Sequence, residues 1–132
     1  MKLPDTVSDY TLLLVWNADG KFQNRLKDAL KKIMMPDLYP CDLCKITHGV
    51  LGPKQEWHYF LQNWGEPIYF MHKDEFLKYR LNIDLEGLRF PLILMFKSGT
   101  WKTMVTKEMI SKLGSLTELM QLLQNLKTMD NS

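Results

Sequence analysis

A chain of 132 residues, 45% hydrophobic and 24% charged, has the length and composition of one domain with its own core. Its 17 basic residues are scattered among 15 acidic ones and leave a formal net charge of +2, which excludes the concentrated basic surface of a nucleic-acid binder. No stretch approaches the roughly 18 apolar residues of a membrane span. The start, Met1-Lys2-Leu3-Pro4-Asp5, lacks the apolar run of a signal peptide, so a cytoplasmic location is the default expectation.

Residues 1–9 are polar, include a proline and are expected to form a loose arm. Residues 10–16, Tyr-Thr-Leu-Leu-Leu-Val-Trp, are a short and nearly continuous apolar run, which predicts a strand buried on both faces. Asn17-Ala18-Asp19-Gly20 breaks the run, and Asn17 or Asp19 can cap a helix after it. Phe22, Leu26, Ala29, Leu30, Ile33 and Met34 then trace one face of that helix, with Lys21, Arg25, Lys27, Lys31 and Lys32 mostly outside it, until Pro36 stops it.

Next comes Tyr39-Pro40-Cys41-Asp42-Leu43-Cys44-Lys45-Ile46-Thr47-His48-Gly49, which holds both cysteines and one of the three histidines. Pro40 suits the first turn of a helix and Gly49 the left-handed position just past its end. On such a helix Cys41, Cys44 and His48 stand at i, i+3 and i+7, on one face. Gly52-Pro53 opens another helix, with Trp57, Phe60, Leu61 and Trp64 as its apolar stripe and Gly65 closing it.

The aromatic-rich Ile68-Tyr69-Phe70-Met71-His72 predicts a second strand. A brief helix over residues 73–80 comes next, with Phe76, Leu77 and Tyr79 partly inward, and then an irregular connection over residues 81–89. Leu92 to Lys97 is a strongly apolar strand, Ser98-Gly99 a two-residue turn, and residues 100–105 the returning strand of a hairpin. Thr106 starts a short helical turn that Gly114 breaks. Ser115 with Glu118 forms a capping box for a final helix, whose inward face is Leu116, Leu119, Met120, Leu123 and Leu126. Residues 130–132 are expected to be loose.

Helices between the early strands favour parallel pairing, whereas the tight Ser98-Gly99 turn forces antiparallel pairing. This order resembles the thioredoxin-like fold. The most specific local match is Phe90-Pro91-Leu92-Ile93-Leu94-Met95-Phe96-Lys97-Ser98-Gly99, which is similar to that family's proline, apolar strand and Lys-x-Gly turn. The resemblance covers residues 10–34 and 67–127. It implies a single thioredoxin-like domain over residues 1–132: an α/β protein with a central four-stranded mixed sheet, in the order βαβαββα, and a helical insertion over residues 36–65. It also implies that Pro91 is a cis-proline facing the active site, with Phe90 and Pro91 binding substrate. The chain departs from the family in one respect. Asn17-Ala18-Asp19-Gly20-Lys21-Phe22 stands where thioredoxins carry Cys-x-x-Cys, and Cys41 and Cys44 fall in the insertion instead. The segment Tyr-Pro-Cys-x-Leu-Cys with Thr-His-Gly after it is also similar to one in small bacterial proteins of unassigned function.

The cysteines admit three readings. In the first, a displaced Cys-x-x-Cys acts as a thiol–disulfide couple. Cys41 is the attacking thiol, favoured as thiolate by its place in the first helical turn, and Cys44 resolves the mixed disulfide. This reading needs no cofactor and takes a protein thiol or disulfide as partner. In the second, Cys41, Cys44 and His48 ligate zinc with His58 or His72 as fourth ligand, although the second ligand pair usual in closed zinc sites is missing. In the third, small buried cysteines simply pack the insertion, as in a non-enzymatic interaction domain. Lys45 stands where the haem-attachment motif needs histidine, which speaks against haem attachment. Trp57, Phe60 and Trp64 read as core, and the adjacent Asp74 and Glu75 diverge too much to act as an acid/base pair.

Overall fold

The computed structural model describes residues 3–17, 42–49, 52–79, 81, 83 and 87–130. The fold is α/β, built on a mixed sheet of four strands. Its central strand β1 (Leu12–Trp16) pairs in parallel with β4 (Ile68–His72) and antiparallel with β5 (Leu92–Lys97), which pairs in turn with β6 (Thr100–Val105). The strand order is β4-β1-β5-β6. All five residues of β1 are buried. The unbroken apolar run therefore reflects a strand covered on both faces, as expected.

One face of the sheet presents Leu12, Leu14, Trp16, Ile93 and Met95. Against it pack α1 (Asp42–Thr47) through Leu43, α2 (Gln55–Gln62) through Trp57, α4 (Lys107–Lys112) through Ile110, and α5 (Leu116–Asp130) through Leu116, Leu119 and Leu123. The opposite face presents Leu13, Val15, Leu92 and Leu94, and is covered by Phe76 of α3 (Lys73–Tyr79), Phe90 and Leu3. Burying one such side chain contributes about 1.5–3 kcal/mol, so the two clusters supply most of the drive to close the sheet. Among the described residues no helix is long and apolar enough to cross a membrane.

Local chemistry fixes the boundaries. The β5–β6 turn holds Ser98 at φ 54° and Gly99 at φ 82°. Two successive positive angles are the signature of the mirror-image turn that matches the twist of a hairpin. Thr106 caps α4 by accepting a hydrogen bond from the Met109 N–H at 3.2 Å. Ser115 caps α5 by accepting from the Glu118 N–H at 3.3 Å, but the Glu118 carboxylate reaches back to the Gly114 N–H, one residue before the position a capping box predicts.

Four sequence expectations need correction. The N-terminal arm is not loose at Leu3, which is buried in the second cluster and whose N–H donates to the Tyr79 hydroxyl at 2.6 Å. Leu77 is 43% exposed, because with Phe76 turned inward the next residue lies about 100° further around the helix. Gly52-Pro53 does not open a helix. It forms a two-residue strand, β3, antiparallel to β2 (His48–Gly49), and α2 begins at Gln55. Gly49 is accordingly part of a strand and not a helix cap. The helix expected over residues 22–34 lies outside the described residues, as do Pro36 and Pro40.

Candidate functional site

Three chain segments meet at one end of the sheet. β1 and β4 run parallel and finish side by side, with Trp16 paired to His72. β5 runs the other way, and its first residue, Leu92, pairs with Val15. Pro91 therefore lies one residue beyond the pairing, next to the end of β1. Ligands of open α/β sheets bind outside the carboxyl ends of the strands, and this edge holds that position. The Phe90–Pro91 peptide is cis, as the resemblance implied. Phe90 and Pro91 are both buried. The Phe90 ring packs edge-on against Phe76 at 5.8 Å, and Lys73 Nζ stands 5.5 Å from its centroid.

The cysteine-bearing segment returns to the same edge. Leu43, fully buried in the cluster that contains Trp16, fastens α1 to the sheet. The fully buried Thr47 ends the helix and donates its hydroxyl proton to the Leu43 carbonyl at 2.8 Å, a bond back to the preceding turn. That hydroxyl also lies 2.8 Å from His48 Nδ1. A hydroxyl has one proton. With that proton directed to Leu43, His48 Nδ1–H is the donor, and the neutral ring carries its lone pair on Nε2. The imidazole meets Trp16 edge-on at 5.5 Å, and Trp16 in turn stacks on Phe70 at 5.5 Å. Burial holds the His48 pKa below its usual 6.5, because the charged ring loses solvation there.

His48 is thus brought to the end of β1, but not by the route the sequence suggests. It belongs to β2, one residue past the end of α1, and does not share a helical face at i+7 with Cys41. Cys44 is in α1 by its backbone; its sulfur and the whole of Cys41 lie outside the described residues. Among the described residues, which do not include Cys41, no three His, Cys, Asp or Glu side chains form a group able to hold a metal. His58 is exposed on α2, its ring 6.4 Å from that of Tyr59. Trp57 and Trp64 are core residues, 1% and 3% exposed, but α2 ends at Gln62, so Trp64 reaches the core from the loop after the helix and Gly65 does not close it.

His72 ends β4 and leads into α3, and its N–H donates to Glu75 Oε1 at 3.2 Å, which is half of a capping box. Its Nδ1 and Asp74 Oδ1 are buried without a hydrogen-bond partner among the described residues. Each such atom costs roughly 1–3 kcal/mol. Sequence reasoning missed Trp16 and Thr47 as parts of this edge. Thr47 had a local signal, standing four residues after Leu43 on a helix, where a hydroxyl can bond back to the carbonyl. The contact of Trp16 with His48 is tertiary and had none.

No protein-family model matches the chain, and neither does any curated protein or solved structure.

Proposed function

We propose that the chain is a thioredoxin-like protein, acting in the cytoplasm, whose Cys41-x-x-Cys44 exchanges electrons with a protein thiol or disulfide. The observation that carries this reading is the contact of His48 with Trp16. The segment after the cysteines comes back to Trp16 at the carboxyl end of β1 instead of trailing away from the sheet. In the reaction, the Cys41 thiolate attacks one sulfur of a partner disulfide and forms a mixed disulfide, and the other partner sulfur leaves as thiolate and takes a proton. Cys44, as thiolate, then attacks the Cys41 sulfur, closes the Cys41–Cys44 disulfide and releases the second partner thiol. Two electrons pass from the cysteine pair to the partner, and the two protons lost by the pair go to the released thiols.

Thiol titration across a series of glutathione redox buffers tests this on wild type, Cys41→Ser and Cys44→Ser. Wild type should show one two-electron transition, and Cys44→Ser should accumulate a glutathione mixed disulfide at Cys41. A wild-type pair that stays reduced throughout the series overturns the reading.

The full burial of Leu43 favours a second reading, in which α1 is a structural element of a non-enzymatic interaction domain and the cysteines are packed or zinc-bound. One equivalent of zinc in protein purified without chelator, lost together with stability in Cys44→Ser, would support it over the first.

A further inference from the structure

We draw no further inference here: the strongest candidate, the side-chain cluster of His72 and Asp74 where β4 passes into α3, has its two atoms that lack a partner among the described residues closed off from solvent at the start of a seven-residue helix, and no second observation there points to a ligand.

Discussion

Replacing Lys127 by methionine removes an ammonium while keeping most of the apolar stem. Lys127 Nζ donates to the Trp64 carbonyl at 2.5 Å and to Glu66 Oε2 at 2.6 Å. It also stands 4.5 Å from the Trp64 ring centroid and 5.8 Å from that of Tyr10. The side chains of the ion pair are only 18% and 24% exposed. Exposed pairs contribute about 0–1 kcal/mol, whereas breaking a fully buried one costs about 3–5 kcal/mol. A pair shielded to this degree falls between, at about 2 kcal/mol, and the cation over Trp64 adds about 1 kcal/mol. At an unfolding entropy of about 2.1 cal/mol/K per residue, a loss of about 3 kcal/mol lowers the Tm of this 132-residue chain by roughly 10 °C.

Arg89 supplies the control. Its 3.0 Å pair with Glu108 joins side chains that are 63% and 54% exposed, so Arg89→Met should cost less than about 1 kcal/mol, or roughly 4 °C. Thermal unfolding of both variants, monitored by circular dichroism at one protein concentration and ionic strength, makes the comparison. A Lys127→Met loss no larger than that of Arg89→Met would refute the argument that shielding gives the Lys127 contacts their strength. Glu66→Gln, which keeps the bond to the Trp64 carbonyl and the ring contacts, should lie between the two.

Single residues give three further expected outcomes. Ser98→Asn should raise stability by about 0.5–1 kcal/mol, since asparagine tolerates the positive φ of that turn position better than serine, and an unchanged or lower Tm would contradict this. Thr47→Val removes the hydroxyl's bonds to the Leu43 carbonyl and His48 Nδ1 and should cost about 1–3 kcal/mol in urea unfolding, with Thr47→Ser restoring most of it; equal losses in both variants would assign the cost to packing instead. Because burial depresses the His48 pKa, the unfolded ring takes up a proton that the folded ring resists. The contribution is therefore present above about pH 6.5 and is lost as pH falls through the folded value. Wild type should lose stability more steeply than His48→Gln between about pH 7 and about pH 5, and parallel slopes would show that the ring is not the source.

Much of the sheet was legible because its signals are local. Pro91 and the Ser98-Gly99 turn bracket β5, and the aromatic run ending at His72 bounds β4, so these strands fall where the residues place them. Leu3 was not legible. A lone leucine in a polar arm has no periodic neighbour, and only the folded position of Tyr79 makes it core. The β2–β3 pair was missed for a related reason: two-residue strands are too short to show alternation, and Gly-Pro and His-Gly read equally well as helix punctuation. At the candidate site, Pro91 and its cis peptide were legible through resemblance, and His72 at the end of β4 through the aromatic, strand-forming run that it closes. The arrival of His48 at Trp16 depends on how an inserted segment turns back, and side-chain spacing carries no information about that.

The two ends of β1 differ in how completely their polar groups are satisfied, and this bears on where function can reside. At the amino end, Tyr10 adopts φ 70°, a conformation costly for a bulky side chain. Its N–H donates to the Phe96 carbonyl at 2.8 Å, its carbonyl accepts from Trp64 Nε1 at 2.7 Å, and its hydroxyl accepts from Lys97 Nζ at 2.7 Å. Lys97 also lies over the ring, 4.4 Å from its centroid. These bonds tie the sheet to the loop after α2, and Lys127 ties that loop to α5. The carboxyl end has its own anchor in Thr47 and His48, yet leaves His72 Nδ1 and Asp74 Oδ1 without partners among the described residues. The satisfied polar groups of Tyr10 and the buried atoms without partners among the described residues therefore sit at opposite ends of one strand. Changes at Tyr10, Trp64, Glu66 or Lys127 should consequently move the Tm and leave the proposed thiol transition where it is, measured well below the Tm of each variant. A shift of that transition in Lys127→Met, with the fold intact, would mean that the two ends are coupled through β1.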